Sequence, residues 1–386
     1  MSSIPVTVVG PRSSGKTVYL ASLFARLSQQ DPGLGFSVTL PLGQSQQLNA
    51  VYEQVVGPGD WPIPSTPADF PVWDFTCTVS TPARRRLTPF AVSYVDYSGE
   101  LLTQGDLYPE SLEKLDRLMT ASPFLLILLD GERVLRFLAG DNRLISEYRP
   151  VFSHLGANQD AVVHFVLTKW DLLEAAGHTL EQVADRLCAT REFRLFVDGR
   201  RALQGDGGVI RLIPVSSVGR GFARLDENGH VVKTPGARPD PLDVEVPFMA
   251  VVVDLFTTEL RKYTRARENP AVRAPGNSEG LLRIFRRVSA GMPLVRAFLA
   301  TRATRNPLLK TAGEVVVDAL AEYVDEQARR HGRRIEESAA QLRRAVEQAA
   351  TDQQALVRIA KAFQARLEEF EDEHPGSRLD LWTARA

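Results

Sequence analysis

An eight-residue segment near the N-terminus constrains the fold of this chain more than any other feature. Residues 10–17 read GPRSSGKT, with two glycines five positions apart and a Lys-Thr pair after the second. A β-rich run, Ile4–Val9, precedes the segment, and apolar residues at helical spacing follow it over Lys16–Gln29. A strand, a glycine-containing turn and a helix in this order aim backbone N–H groups and the positive end of the helix at one point. We therefore predict a phosphate-binding loop at residues 10–17.

The residue types in this loop suit a nucleoside triphosphate. Lys16 can bridge the β- and γ-phosphates, and the Thr17 hydroxyl can bind Mg²⁺. A plain Gly/Ser turn is the alternative, and the strand before it and the helix after it favour the phosphate site. The candidate phosphate-contacting residues are Gly10, Arg12, Ser13, Ser14, Gly15, Lys16, Thr17 and Val18.

Residues 1–265 alternate strand-like and helix-like segments, which is typical of a wound α/β domain. Trp73–Val79 and Phe90–Val95 alternate in polarity as an antiparallel pair does. Pro123–Leu129 and Ala161–Leu167 are nearly continuous apolar runs, as expected for strands buried on both faces of a parallel sheet. We predict a mostly parallel sheet.

A DxxG segment, Asp96-Tyr-Ser-Gly99, follows one of these strands. A carboxylate at the carboxyl end of a strand, beside the phosphate loop, can hold Mg²⁺ directly or through water. The N–H group of Gly99 can then bond a γ-phosphate, which makes the following loop sensitive to that phosphate. The alternative is an ordinary turn, because DxxG is common in turns.

A TKWD segment, residues 168–171, follows the apolar run Ala161–Leu167. Asp171 can accept two parallel hydrogen bonds from guanine, whereas adenine would leave a buried carboxylate unpaired. The aliphatic part of Lys169 can lie across the base. The alternative is a helix N-cap. The segment Ser216-Ser217-Val218 follows the last strand, Val209–Val215, and its N–H groups can meet the guanine carbonyl, although by itself the segment indicates only a turn.

With these four motifs in order, the chain resembles the Ras-like, translation-factor-related class of P-loop GTPases over residues 4 to about 265. The resemblance implies a P-loop NTPase G domain with a six-stranded, mostly parallel sheet and helices on both faces. It also implies Mg²⁺ and GTP/GDP as ligands, GTP hydrolysis, and two switch loops beside the γ-phosphate. The implied matches are Gly10, Gly15, Lys16 and Thr17 for phosphate and metal, Asp96 and Gly99 for the γ-phosphate, and Lys169, Asp171, Ser216 and Ser217 for the base.

The chain departs from the class at three positions. The first-switch threonine is not fixed by spacing: we favour Thr66, with Ser65 second and a simple turn as the alternative. Glu100 stands where relatives have a glutamine, and its repulsion from a triphosphate predicts slow hydrolysis without a partner. Arg12 either acts on phosphate charge or is a solvated surface arginine. We thus assign Lys16, Thr66, Gly99 and Glu100 to catalysis and Thr17, Thr66 and Asp96 to the metal.

Within the class, the insert ending in WPIPSTP, the DxxGE and the helical tail look similar to bacterial double-GTPase proteins, predicted components of multi-gene conflict or signalling systems. The leading hypothesis is a regulatory GTPase. The alternatives are a GTP-loaded scaffold without significant turnover and a dynamin-like membrane GTPase.

The C-terminal third is predicted to be helical after a Pro/Gly/Asn-rich linker at 266–278, giving a helical domain at 279–386. From Ile335 to Phe370 apolar residues recur at steps of four and three, which predicts a coiled-coil-like helix that pairs within the chain or self-associates. A basic amphipathic stretch at 280–310 favours packing or docking of a protein partner, with peripheral membrane contact as an alternative.

Composition excludes several other classes. The net charge is −1, so there is no strong nucleic-acid signal. The only cysteines are Cys77 and Cys188, which is too few for a disulfide scaffold or a thiolate zinc site. The sequence shows no apolar run of about 18 residues and no signal-peptide pattern, and we expect a cytoplasmic location.

Overall fold

The structure is a computed structural model that describes residues 4–29, 36–63, 66, 70–80, 86–88, 90–97, 99–101, 107–158, 161–204, 209–254, 359 and 362–382. Eight strands in these ranges form one sheet, in the order β2-β3-β5-β1-β6-β7-β8 with β4 beside β3. The strands are β1 Ile4–Val9, β2 Ser37–Thr39, β3 Val72–Ser80, β4 Arg86–Leu87, β5 Ala91–Val95, β6 Phe124–Asp130, β7 Val162–Thr168 and β8 Leu212–Pro214.

The parallel part of the sheet comprises β5, β1, β6, β7 and β8. Every residue of β6 and of β7 is buried, as the continuous apolar runs predicted. The mostly parallel α/β fold is therefore confirmed.

The other side of the sheet is antiparallel. β3 pairs with β5 from Val72↔Val95 to Thr76↔Ala91, which confirms the predicted antiparallel pair. Two short strands, β2 and β4, also pair with β3. The expectation of six strands was therefore wrong for the described residues, because β2 and β4 are only three and two residues long and carry no usable alternation pattern.

Helices cover both faces of the sheet, as predicted. Alternate residues of β6 belong to different cores: Leu126 and Leu128 pack in one, and Leu125 and Ile127 in the other. The first core holds α1 and the second holds most helices between β5 and β8. The helices are α1 Lys16–Ser28, α2 Leu42–Val56, α3 Pro109–Ala121, α4 Gly131–Leu138, α5 Arg143–Ala157, α6 Trp170–Ala175, α7 Leu180–Cys188, α8 Arg191–Gln204, α9 at 246–254 and α10 at 362–373.

A two-stranded hairpin follows β8. Its strands, β9 (Ala223–Leu225) and β10 (Val231–Lys233), pair antiparallel and stand apart from the main sheet. Phe222 and Ala223 pack with Val55 of α2 and with Val218 in a third, small cluster. The hairpin thus links the loop after β8 to the end of α2.

The last described segment packs on the sheet. Phe363, Leu367 and Phe370 of α10 are buried in the first core, where the Phe363 ring lies 6.3 Å from that of Phe248 in α9. Farther on, Trp382 donates a hydrogen bond to Asp185 of α7 at 2.7 Å. Ile359 and residues 362–382 therefore pack against the sheet domain, and the predicted helical domain at 279–386 as a whole stays a prediction.

The described end of the heptad seam faces the sheet domain. Phe363, Leu367 and Phe370 occupy seam positions, and all three are buried against that domain's core, as is the nearby Ile359. No coiled coil is seen in the described part of the chain, because here the apolar stripe meets a sheet-packed core. The linker at 266–278, the basic stretch at 280–310 and the rest of the seam lie outside the described residues. None of the helices that the structure describes is long and apolar enough to cross a membrane.

Candidate functional site

The loop between β1 and α1 contains two residues with a left-handed backbone conformation. Ser13 and Gly15 both have positive φ, 66° and 82°. Only Gly15 reaches such a φ without strain, so Ser13 stores conformational strain here. Gly10 is tight as well, since a Cβ there would lie 2.7 Å from the Ser14 Oγ. Ser14 Oγ is buried and has no hydrogen-bond partner among the described residues, which is an unmet polar group inside the loop.

Lys16 lies across the mouth of this loop. Its Nζ donates hydrogen bonds to the carbonyl oxygens of Gly10 at 2.8 Å and Pro11 at 3.1 Å. Burial lowers the pKa of Lys16 to about 8, and the nearby Asp96 carboxylate offsets only part of that effect. The ammonium group is therefore held where further negative charge would stabilise it.

Thr17 and Asp96 place two oxygen ligands side by side. The Thr17 hydroxyl donates to Asp96 Oδ2 at 2.8 Å, and the Asp96 carboxylate is fully buried. Burial raises the pKa of Asp96, although Lys16 and the Thr17 hydrogen bond oppose the shift. A hydroxyl beside a desolvated carboxylate suits Mg²⁺, which prefers oxygen ligands.

Mg²⁺ at this position would need more oxygens than the protein supplies. Among the described residues, no group of three or more His, Cys, Asp or Glu side chains is arranged to hold a metal ion. Mg²⁺ usually keeps several waters and binds through one or two protein groups together with phosphates. Thr17 and Asp96 therefore fit a magnesium ion that arrives with a triphosphate.

The segment after Asp96 presses against the phosphate loop. A Cβ at Gly99 would lie 2.0 Å from the Arg12 nitrogen and 2.1 Å from the Pro11 carbonyl carbon, so only glycine fits. The next residue, Glu100, forms an ion pair with the Arg12 guanidinium. Two of the three sequence departures, Arg12 and Glu100, thus neutralise each other's charge at the edge of the loop.

Two further residues support the loop, and sequence reasoning missed both. The Gly10 N–H donates to the buried Tyr97 hydroxyl at 3.1 Å. Arg133 donates to the Arg12 carbonyl at 3.1 Å and pairs with Glu147. Tyr97 occupies a variable position of DxxG, and Arg133 lies 121 residues from Arg12, so no spacing rule could have indicated either of them.

The TKWD segment lies next to the loop at the carboxyl end of β7. The Thr168 hydroxyl donates to the Ser14 carbonyl at 2.9 Å, which ties β7 to the phosphate loop. Lys169 has a left-handed backbone, with φ of 54°, and its Nζ pairs with Asp130 Oδ1 at 2.8 Å. Two of the three described non-glycine residues with positive φ, Ser13 and Lys169, therefore line the same cleft.

Asp171 is held in place by the segment that follows β8. The Ser216 hydroxyl donates to Asp171 Oδ1 at 2.6 Å and accepts from the Gly219 N–H at 2.8 Å. Burial is the main cause of a raised pKa at Asp171, and the Ser216 hydrogen bond opposes it. Ser217 is joined to α1, since its carbonyl accepts from Ser22 at 2.7 Å.

These segments line one cleft with a volume of about 290 Å³ at the carboxyl ends of the parallel strands. The cleft brings together most of the sequence-predicted site residues, although their roles stay predictions. Those that line it are Arg12, Ser13, Gly15, Lys16, Thr17, Val18, Gly99, Lys169, Asp171, Ser216, Ser217 and Val218.

Five predicted residues do not line the cleft. Gly10 and Ser14 lie inside the loop, Asp96 reaches the cleft through Thr17, and Glu100 pairs with Arg12. Thr66 is exposed and does not border the cleft. The structure thus does not bring Thr66 to the other candidate metal ligands, and the alternative, Ser65, lies outside the described residues.

Several residues that line the cleft were not predicted. Glu132 follows β6 closely, and Leu172 directly follows Asp171. Other lining residues come from two segments distant from the motifs, the loop after α2 and the hairpin. The remaining unpredicted lining residues are Trp61, Pro62 and Ile63 after α2, Tyr97, Thr168, and Ala223 and Val231 of the hairpin.

Comparisons with known proteins do not show which family this chain belongs to. No family model matches this sequence, and no curated protein matches it. One of the solved structures that match is a chain of the signal recognition particle receptor SRb-GTP/SRX complex from Chaetomium thermophilum. The match has 17% sequence identity and a TM-score of 0.33, and it covers 57% of this chain and 94% of that chain. So distant a likeness says nothing about ligands.

Proposed function

We propose that this protein binds Mg-GTP in the cleft and hydrolyses it slowly. One observation carries the proposal: the phosphate loop and Asp171 line the same cleft. The triphosphate then lies on the loop amides and Lys16, and the base lies beside Asp171.

At the phosphate end, the protein supplies charge and fixed amides. Lys16 pairs with the β- and γ-phosphates, and this restores the stability of its buried ammonium group. Thr17 and Asp96 hold Mg²⁺, which neutralises charge that develops on the phosphates. Gly99 lies against the loop, and its N–H group is the proposed donor to the γ-phosphate.

At the base end, selectivity comes from a positioned carboxylate. The Ser216 hydroxyl fixes one oxygen of Asp171 at 2.6 Å. Guanine offers the N1–H and the exocyclic amine as a donor pair, and adenine does not. Asp171 is only 5% exposed, so adenine would leave a buried carboxylate unpaired.

Titration of GTP and ATP into the protein and into its Asp171→Asn variant, followed by calorimetry, tests the base assignment. We expect micromolar or tighter GTP binding, weak ATP binding, and loss of at least about a hundredfold preference in the variant. Tripolyphosphate serves as the control, since it has no base and should bind both proteins equally. Equal affinity for GTP and ATP in the unmodified protein would contradict the guanine assignment and leave the phosphate site in place.

The second candidate function, a GTP-loaded scaffold, is favoured by the ion pair between Glu100 and Arg12. In this arrangement the residue that could orient water is a carboxylate, and it is already engaged by an arginine. Single-turnover hydrolysis with bound GTP separates the two functions: a measurable first-order rate supports the slow GTPase, and no phosphate release over many hours supports the scaffold.

We extend the proposal to a regulatory role, with partner interactions that depend on the bound nucleotide. The resemblance of the WPIPSTP insert, the DxxGE and the tail to double-GTPase proteins supports a bacterial signalling or defence system. Capture of a partner by the GTP-loaded form but not by the GDP-loaded form would support this role. Equal capture by both forms would contradict it.

A further inference from the structure

The loop after α2 is attached to the hairpin that follows β8. Trp61 Nε1 donates to the Val231 carbonyl at 2.8 Å, and the Trp61 ring lies 6.4 Å from the Phe222 ring in a T-shaped arrangement. Trp61 and Val231 are 170 residues apart in the sequence. The position of the indole is thus set by a tertiary contact.

Lys233 of the hairpin strengthens this attachment. Its Nζ donates to the carbonyl oxygens of Gln54 at 2.7 Å and Gly57 at 2.9 Å, and to that of Asp60 at 3.4 Å. The same ammonium lies 5.1 Å from the centre of the Trp61 ring. Lys233 therefore satisfies carbonyls at the end of α2 and holds Trp61 through a cation–π contact.

The loop after α2 and the hairpin together form one side of the cleft, which we call the apolar wall. Trp61, Ala223 and Val231 line it together with Val218, which follows Ser216 and Ser217 in the sequence. The phosphate loop lines the other part with Lys16 and backbone amides. A ligand that fills the whole cleft must therefore be strongly anionic at one end and flat or apolar at the other, as a nucleoside triphosphate is.

We propose that Trp61 contacts the nucleoside part of the bound nucleotide and that Lys233 is the residue that positions it. This inference rests on the proposed function, because it assigns the nucleoside end of the same cleft. Neither residue belongs to the four nucleotide-binding motifs, although Trp61 begins the WPIPSTP segment. The wall lies beside the assigned base-contacting segment, so it acts on the nucleoside and leaves triphosphate binding unaffected.

Three proteins test the role of Trp61: the unmodified protein, Trp61→Ala and Trp61→Phe. Each is titrated with Mg-GTP, Mg-ATP and tripolyphosphate. Stacking of a base on an aromatic ring predicts that Trp61→Ala weakens nucleotide binding about tenfold and that Trp61→Phe retains most of it. Tripolyphosphate affinity should stay within about twofold of the unmodified protein in both variants. Unchanged nucleotide affinity in Trp61→Ala, or an equal loss for tripolyphosphate, would overturn the proposal.

Lys233→Met tests the positioning role, with Lys114→Met as its matched control. Lys114 also lies over an aromatic ring, that of Phe70 at 4.3 Å, but does not line the cleft. We expect Lys233→Met to weaken nucleotide binding about threefold to tenfold without affecting tripolyphosphate, and Lys114→Met to change neither. Equal effects of the two substitutions would contradict a positioning role.

The outcomes also separate this inference from the proposed function. If the unmodified protein binds GTP and ATP equally and Trp61→Ala weakens both, the guanine assignment fails and the wall stands. If GTP is preferred and Trp61→Ala has no effect, the wall fails and the guanine assignment stands. Binding of tripolyphosphate alone, with no added affinity from a nucleoside, would overturn both.

Discussion

Ionisable side chains are buried at both ends of the parallel strands, and they are satisfied in opposite ways. At the amino ends of β7 and β8, Arg211 donates to both oxygens of Asp254, at 2.6 and 3.2 Å, and also pairs with Glu371. At the carboxyl ends, Lys16 and Asp96 lie beside the cleft. The first group is closed by its own partners, whereas the second faces a space that a ligand can fill.

The pKa directions express the same contrast. At the amino ends, the Asp254 pairing raises the pKa of Arg211 despite burial, and Arg211 lowers that of Asp254. At the carboxyl ends, burial lowers the pKa of Lys16 to about 8 and raises those of Asp96 and Asp171. Charges are thus favoured where the fold pairs them and disfavoured where it does not, as expected at a binding site.

The largest expected effect is on stability, from Arg211→Met. This substitution leaves Asp254, which is 1% exposed, without its guanidinium partner, while Glu371 keeps only Arg378 at 3.6 Å. Removing one member of a buried ion pair costs about 3–5 kcal/mol. Urea denaturation monitored by circular dichroism measures the loss of free energy of unfolding.

Arg149→Met is the matched control for this loss. Arg149 pairs with Glu192 at 3.2 Å, but its side chain is 65% exposed. Exposed pairs contribute about 0–1 kcal/mol, so the control should unfold nearly as the unmodified protein does. Equal losses in the two variants would show that the Arg211 cluster is not the tightly paired site described above.

The second largest effect is expected from Lys16→Met. This substitution should abolish triphosphate binding without destabilising the fold. We expect triphosphate affinity to fall at least about a hundredfold, since a charge-assisted bond to phosphate is lost. Stability without ligand should stay the same or rise, because the fold no longer buries an ammonium whose pKa is lowered by desolvation. Calorimetry with tripolyphosphate and thermal unfolding of the same samples measure both. A marked loss of stability in Lys16→Met would mean that Lys16, like Arg211, is buried to stabilise the fold, and would contradict the contrast between the two ends of the strands.

The third effect is a dependence of stability on pH at the amino ends. His164 is fully buried and 3.0 Å from Asp254 Oδ2, and desolvation lowers its pKa despite that contact. Above pH 6.5 the ring is neutral in both states; below it, the unfolded chain takes up a proton before the folded one, so stability falls. The slope is at most about 1.4 kcal/mol per pH unit.

Urea midpoints at pH 7.5 and 5.5, for the unmodified protein and for His164→Gln, measure this slope. The groups facing His164 are Asp254 and Arg211, and their pKa shifts keep both charged over this range. The variant should therefore lose part of the dependence, and identical slopes in the two proteins would rule out His164 as its source.

The smallest effect is expected at the edge of the phosphate loop. Glu100→Gln removes a negative charge that repels the triphosphate and that pairs with Arg12. We expect single-turnover hydrolysis to accelerate several-fold, because an amide can orient water without this repulsion. Phosphate release from pre-bound GTP measures the rate, and Glu113→Gln, which alters an exposed helical ion pair outside the cleft, is the control. A slower rate in Glu100→Gln would make Glu100 a useful catalytic group.

The sequence predicted those parts of the candidate site whose residues lie close together in the chain. The phosphate loop is one continuous segment whose glycines and flanking elements dictate its conformation, so its residues were assigned by spacing alone. The same holds for Asp96, which directly follows β5, and for Asp171, which lies three residues after the end of β7 in the first turn of α6. Thr66 could not be placed in this way, since a long proline-rich loop has no periodicity to fix it.

By itself, the sequence determined the mostly parallel sheet, the helices on both faces and the glycine-containing turn at residues 10–17, because periodicity and glycine spacing act over a few residues. Only the tertiary structure decided that Trp61 meets the hairpin and that Arg211 joins Asp254 to Glu371. It also decided that the end of the heptad seam packs on the sheet domain. Each of these contacts joins residues far apart in the chain. An apolar stripe indicates that a helix face is buried, and a charge within an apolar segment indicates an ion pair, but neither pattern identifies the residues contacted.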